Sequence, residues 1–179
     1  HIDDVMLKRM NRRGSSDWIK SRIAECRKRG ILLRTTMIVG FPGETDEQFE
    51  TLLNFVKDAR FDRLGAFTYS PEEDTPAYNL PDQIDDEVKF RRRDIVMEEQ
   101  SRISDACNEA MIGKTVTVLV ESFDRYAECW FGRTAADAPD IDGKVYFKSP
   151  RRILPGSFVD VVIDEVVDYD VFGRAILHK

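Results

Sequence analysis

The residues best placed to do chemistry lie in the stretch MIVGFPGETDEQFE, residues 37–50, where two glycines flank a proline and three carboxylates crowd a helix start. Turns of this kind let a ligand approach the backbone, and the amides at a helix N-terminus favour anions. A phosphate loop, however, requires G-x-x-x-x-G-K-[ST], and no lysine follows these glycines. Glu44, Asp46 and Glu47 also take the positive end of the helix dipole, where they repel a phosphate. Two readings stay open. In one, the stretch is a structural turn: Gly40 and Gly43 supply positive φ, Pro42 fixes the chain and the acids cap the helix. In the other, a neutral or cationic ligand lies across the C-terminal ends of strands, where α/β folds bind ligands. Ile38 and Phe41 would then pack on a flat ring and Glu44 would neutralise a cation. S-adenosylmethionine, with adenine, sulfonium and ammonium groups but no phosphate, has that chemistry.

Other reactive side chains are sparse. Cys26, Cys107 and Cys129 are far apart, so they form neither a disulfide framework nor a zinc set and read as small buried apolar residues. Arg12, Arg13 and Arg91–Arg93 are flanked by acids and read as a solvated face rather than a nucleic-acid patch. A net charge of −6 argues against a nonspecific polyanion binder. With 42% hydrophobic and 34% charged residues the composition is that of an ordinary folded domain or two. No apolar stretch reaches membrane-spanning length and no signal peptide opens the chain, so a cytoplasmic protein is expected. The chain opens at His1 among residues that already read as a helix, so a longer protein is expected around it.

The elements that must position the turn follow from periodicity. A helix is predicted from Ile2 to Gly14, with Val5, Met6 and Met10 at helical spacing. A second, capped by Ser15 or Ser16 and stopped by Gly30, is expected to bury Ile19, Ile23 and Cys26. ILLRTTMIV, residues 31–39, reads as a strand buried on both faces. Thr45 and Gln48 form a capping box for a helix burying Phe49, Leu52, Leu53 and Val56, and RLGAFTY, residues 63–69, is the next strand. Strand, helix, strand at this spacing is a βαβ unit of an α/β domain with a parallel sheet. Residues 70–84 are proline-rich and irregular, and a long charged helix follows over 85–111, with Val88, Ile95, Ile103 and Cys107 loosely on one side.

At Ile112–Gly113 the pattern changes to alternation. KTVTVLVES, AECWFGRT, GKVYF, SFVDVVIDEVV and VFGRAILH are five β segments between Gly, Pro and Asp turns, which suggests a small closed barrel of the OB type. Phe123, Tyr126, Trp130, Phe131, Tyr146 and Phe147 either fill that barrel or stack on RNA bases. Residues 112–179 hold nine Lys or Arg against eleven Asp or Glu, a balance that suits a basic protein partner better than RNA.

TTMIVGFPGETDEQFE, with HIDDVMLKRMNRRGS before it and FDRLGAFTYSPEEDTPA after it, resembles the later half of the catalytic domain of radical S-adenosylmethionine methylthiotransferases. VLVES, GRTAADAPDIDGKVYF and DYDVFG resemble the TRAM domain that ends those enzymes. The fold this implies is α/β plus all-β: the C-terminal part of a partial TIM-type (β/α)6 barrel over 1–111, then a five-stranded OB-like barrel over 112–179. Within the family, DAPDIDG, DYDVFG and YSPEEDTPA resemble the branch that adds a methylthio group to the β-carbon of an aspartate on a small-subunit ribosomal protein. The tRNA-modifying branch carries an arginine in the segment held here by Glu72–Glu73, and tRNA modification is the first alternative. The second is a noncatalytic binding module built on the barrel.

The resemblance also implies cofactors. Family members hold one four-iron four-sulfur cluster on C-x-x-x-C-x-x-C, which reduces S-adenosylmethionine to a 5′-deoxyadenosyl radical, and a second cluster in a preceding domain. Neither cysteine set is in this sequence, so the clusters belong to the longer parent and this stretch alone is expected to be inactive and to hold no metal. By position, the adenosine side of the cofactor site falls on Ile38, Gly40, Phe41, Gly43 and Glu44 of one strand and turn, and on Phe67 and Tyr69 of the next strand. His1, following the family's fourth strand, either lines this pocket or is a structural helix-start residue. The barrel is expected to dock a basic loop of the ribosomal protein, with RNA contact possible and no membrane partner. A partial barrel also has an open edge, so pairing with another chain or with further residues is expected.

Overall fold

A computed structural model describes residues 1–176, so Leu177 and His178 of the last predicted strand lie outside the described residues. The chain forms two compact units, His1–Ile103 and a second from Ser104 onward.

The first unit opens with α1 (Asp4–Arg9), capped by the Asp3 carboxylate, which accepts the Met6 amide at 2.9 Å. α1 ends well short of Gly14 because Met10 leaves helical geometry and Asn11 turns left-handed at φ 53°. α2 (Ser16–Lys28) is capped by Ser15 as expected, but it fully buries none of its residues. Ile19, Ile23 and Cys26 are only half-buried, and the first two border an open groove.

β1 (Arg34–Val39) and β2 (Arg63–Thr68) pair in parallel and are joined through α3 (Asp46–Ala59), the predicted βαβ unit. Burial on both faces of the first strand is not what the structure shows. Met37 and Val39 of β1, with Leu64 and Ala66 of β2, make a buried face, while Ile38 and its register partner Phe67 lie on the other, open one. The strand also starts three residues late, leaving Ile31 and Leu32 exposed. A two-stranded sheet offers its second face nothing to pack on among the described residues except the groove.

α3 carries the full predicted capping box: Thr45 Oγ1 accepts the Gln48 amide at 3.3 Å and Gln48 Oε1 accepts the Thr45 amide at 3.0 Å. Its buried face is Phe49, Leu52, Phe55 and Val56, with Phe55 in the place expected of Leu53. Each such side chain contributes about 1.5–3 kcal/mol of burial. α4 (Asp86–Glu109) departs further from expectation. Its buried positions in this unit are Lys89, Arg92, Val96, Gln100 and Ile103, while Val88 and Ile95 are only half-buried. Arg92, expected on a solvated face, is 4% exposed. The groups that meet this stripe are oxygens: Arg92 reaches Glu44 and Asp46, and Gln100 Nε2 donates to the Phe61 carbonyl at 3.0 Å. A polar stripe is what such a surface stabilises.

The second unit is the predicted five-stranded barrel. β3 (Thr115–Asp124), β4 (Cys129–Arg133), β5 (Val145–Lys148), β6 (Phe158–Val167) and β7 (Asp170–Ile176) close in the order β3-β4-β5-β7-β6. All pairs are antiparallel except β5 with β7, and closure leaves no free sheet edge among the described residues of this unit. Val118, Val120, Trp130, Val145, Phe147, Val161, Ile163 and Val171 fill the inside. Cys129 is buried, which pushes its thiol pKa up, whereas Cys26 and Cys107 are half-buried. Strands cross closely at two glycines: a Cβ on Gly132 would meet the Leu119 carbonyl oxygen at 2.1 Å, and one on Gly173 would meet that of Val162 at 2.1 Å.

Backbone cannot yield there as a flexible side chain would. Gly132→Ala and Gly173→Ala are each expected to cost about 1–3 kcal/mol, read as a lower urea midpoint of the barrel transition. An unchanged midpoint would mean that the strands separate freely at these crossings.

Candidate functional site

The open face of β1 and β2 forms one wall of a groove of about 820 Å³, large enough for a cofactor-sized molecule. Ile38 and Phe67 stand side by side on that wall, and Phe67 is 62% exposed, which is unusual for a phenylalanine in a strand. Just beyond the strand ends, Phe41 and Tyr69 meet edge to face with ring centroids 5.0 Å apart, and both border the groove. Four of the seven predicted contact residues therefore share one surface. Gly40, Gly43 and Glu44 do not line it; they build the turn behind it.

That turn is closely specified. The Glu44 amide donates to the Phe41 carbonyl at 2.9 Å, with Pro42 second and Gly43 third at φ +78°, the arrangement of a type II turn. The Gly43 amide donates to the Asp82 carbonyl at 2.8 Å. Gly40 is left-handed at φ +71°, and a Cβ there would come within 2.4 Å of Lys89 Cγ. Both positions thus require glycine for backbone reasons, as the structural-turn reading expects.

Glu44 is turned inward and its carboxylate is fully buried. Both of its oxygens accept the Gly40 amide at 3.1 Å, and Arg92 Nη1 donates to Oε1 at 2.8 Å. The same nitrogen donates to the Glu44 carbonyl at 3.2 Å, while Nη2 donates to Asp46 Oδ1 at 2.7 Å. Arg92 thus meets the charge of Glu44 inside the protein. His1 is adjacent: its Nδ1 accepts the amides of Ile2 and Asp3 at 3.0 and 3.1 Å, and its Nε2 stands 3.5 Å from Glu44 Oε2. Since Nδ1 is an acceptor, the ring proton is assigned to Nε2, facing the carboxylate. His1 borders the groove, but its imidazole is fully buried in this structural role.

The start of α3 repels a phosphate, because Asp46 and Glu47 place negative charge in its first turn. Thr45 caps it, and its own backbone amide and the Thr45 hydroxyl hold the Glu47 carboxyl below its usual range.

Residues 1–56 match the radical SAM superfamily and residues 112–176 match the TRAM domain. A protein of Clostridioides difficile named "Ribosomal protein uS12 methylthiotransferase RimO" is 46% identical over 98% of this chain, which covers 40% of that relative. Proteins of the same name from Caldanaerobacter subterraneus subsp. tengcongensis and Trichlorobacter lovleyi are 44% and 46% identical over 97% and 98% of the chain, again covering 40% of each relative. The chain carries part of a radical SAM domain followed by a TRAM domain, as a RimO-like C-terminal fragment does. It spans about two fifths of the length of the relatives it matches.

The groove of this RimO-like chain fits the cofactor its family name implies. Its wall is apolar and aromatic at Ile38, Phe41, Phe67 and Tyr69, and the Tyr69 hydroxyl is a buried polar atom with no partner among the described residues; Arg12, Arg13, Arg22 and Arg34 border it beside a single acid, Glu72. Among the described residues no group of three or more His, Cys, Asp or Glu side chains could hold a metal ion, and no helix is long and apolar enough to cross a membrane.

The TRAM barrel carries a second candidate surface. Strand alternation sends Trp130 and Phe147 inward, whereas Phe131, Tyr146 and Phe172 lie half-buried on the outer face of adjacent strands. Tyr146 stacks on Phe172 with centroids 5.2 Å apart and meets Phe131 at 5.9 Å. Lys144 Nζ already stands 4.5 Å over Phe131, so the row accepts a cation. Phe123 and Tyr126 are exposed elsewhere on the unit.

Sequence reasoning missed Arg92, Lys89 and Phe172. A signal for the first two existed, since an acid in an apolar turn demands a counter-ion and Lys89, Arg92 and Val96 recur at helical spacing.

Asp46 gives a measurable consequence. It is exposed, and its hydrogen bond from Arg92 lowers its carboxyl pKa. A carboxyl depressed by folding contributes stability above its unfolded value and loses it as pH falls through the lowered one. Between about pH 4 and pH 2, the unfolding midpoint of the native chain is expected to fall more steeply than that of Asp46→Asn. Parallel curves would show that the pair carries no stability.

Proposed function

We propose that this chain provides the adenosine-side wall and the substrate-docking domain of a cytoplasmic radical S-adenosylmethionine methylthiotransferase. Its substrate is the β-carbon of an aspartate on a small-subunit ribosomal protein. The observation that carries the reading is similarity to RimO proteins along nearly the whole chain, combined with Ile38 and Phe67 placed in register on an open groove beside a phosphate-excluding turn. The iron–sulfur clusters are held by other parts of the parent protein, and this stretch alone does not turn over.

When bound, S-adenosylmethionine supplies the radical chemistry, and the residues here position it and exclude water. Ile38, Phe67, Phe41 and Tyr69 would hold its adenosine side, and Gly40 and Gly43 let the turn behind them bend. Glu44 shapes that turn instead of facing the sulfonium, because its charge is already met by Arg92.

A ribosomal-protein substrate is favoured over tRNA by the excess of acids over bases in residues 112–179, and by Glu72–Glu73 standing in the segment where the tRNA-modifying branch carries an arginine. The outer row Phe131, Tyr146 and Phe172 is the surface for a basic loop, since aromatic faces attract Lys and Arg side chains.

In the full-length protein, Phe67→Ala is expected to raise the Kd for S-adenosylmethionine about tenfold by calorimetry, as deletion of a buried aromatic contact should. Methylthiolation assayed on a ribosomal-protein peptide and on tRNA in parallel decides the substrate; product on tRNA alone would overturn the proposal. Tyr146→Ala is expected to raise KM for the ribosomal protein several-fold while leaving S-adenosylmethionine affinity unchanged. An unchanged KM would remove the aromatic row from the docking surface.

A further inference from the structure

The two ends of the 40–44 turn, and the first residue of α3, are tied to a single side chain on a different helix. Arg92 Nη1 holds both the carboxylate and the main-chain carbonyl of Glu44, and Nη2 holds Asp46. Glu44 in turn holds the Gly40 amide through both oxygens. The guanidinium also stands 5.4 Å over the Phe49 ring, inside the core of the unit. Its Nε is buried without a partner among the described residues, so the orientation that reaches Glu44 and Asp46 is kept at the cost of one hydrogen bond within the chain.

We propose that Arg92 is a positioning residue for the cofactor. It does not line the groove, yet it fixes the turn that presents Phe41 to it, just beyond Ile38 at the end of β1. The inference rests on reading the groove as the S-adenosylmethionine site. A lysine cannot replace it, because one ammonium does not span a carboxylate, a carbonyl and a second carboxylate in fork geometry. The neighbouring Lys89 is already committed: its ammonium pairs with Asp86 at 2.9 Å, and its stem packs against Gly40. Loss of Arg92 leaves the Glu44 carboxylate buried without a cation. Relief then comes from movement of Glu44, which releases the Gly40 amide and with it the groove wall.

The test uses the full-length protein and measures S-adenosylmethionine affinity by calorimetry beside thermal unfolding. Arg92→Lys and Arg92→Met are expected to weaken binding about tenfold or more, as loss of a residue that orients a contact residue does. Combining Arg92→Met with Glu44→Gln removes the unpaired charge, and this double variant is expected to bind more tightly than Arg92→Met alone and more weakly than wild type. Leu52→Ala, a destabilising control in the core of α3, is expected to lower Tm while leaving Kd within about twofold of wild type. Wild-type affinity in Arg92→Lys or in the double variant would overturn the proposal, as would a loss of affinity matched by Leu52→Ala at equal Tm. Arg92→Lys and the double variant keep the test decisive if Arg92→Met does not fold. Absence of binding by the wild-type protein, or unchanged binding by Phe67→Ala, defeats the reading of the groove itself and is distinguishable from either result.

Discussion

A carboxylate buried with its counter-ion is the constraint on which the first unit depends. Glu44 sits in a turn of four residues between a strand and a helix, with no solvent to stabilise its charge. Such a group has few options: it must be paired, hydrogen-bonded at both oxygens, or neutral. Here it is paired by Arg92 and hydrogen-bonded by Gly40. Satisfying it dictates which face of α4 points inward, where the turn must bend, and why positions 40 and 43 accept only glycine without strain.

The same constraint explains an otherwise odd helix. α4 has little amphipathic character because its inward stripe in this unit contains Lys89, Arg92 and Gln100 among Val96 and Ile103. Each of those polar side chains answers a particular oxygen: Asp86, Glu44 with Asp46, and the Phe61 carbonyl. A helix held partly by ion pairs and hydrogen bonds has a fixed register, because sliding it by one residue would separate Arg92 from Glu44 and Asp46 and Gln100 from the Phe61 carbonyl together. Hydrophobic packing alone tolerates such slips more readily.

The barrel obeys simpler physics. Its five strands alternate inward apolar with outward mixed residues, and closure removes the sheet edges. Two glycines mark where strands approach too closely for any side chain. Alternation and turn residues are local properties, so this half is legible in the order of residues alone. The row of Phe131, Tyr146 and Phe172 is only partly so, because the parallel pairing of β5 with β7 joins residues distant in sequence.

Local chemistry in the chain determined much of the rest. Ser15, Thr45 and Gln48 placed helix starts, the spacing of Phe49, Leu52 and Val56 placed a buried face, and the acids after Gly43 excluded a phosphate. These depend on neighbours within a turn or two, which the order of residues displays directly. Family resemblance supplied the proposed cofactor and the proposed roles of Ile38 and Phe67, which residue types alone left beside a structural-turn reading. Tertiary structure decided what needs partners far along the chain: that β1 is open on one face, that Ile38 and Phe67 stand side by side, and that Glu44 faces inward. The partner of Glu44 lies 48 residues away on a helix whose basic run reads as surface, and only folding brings the two charges together where water cannot separate them.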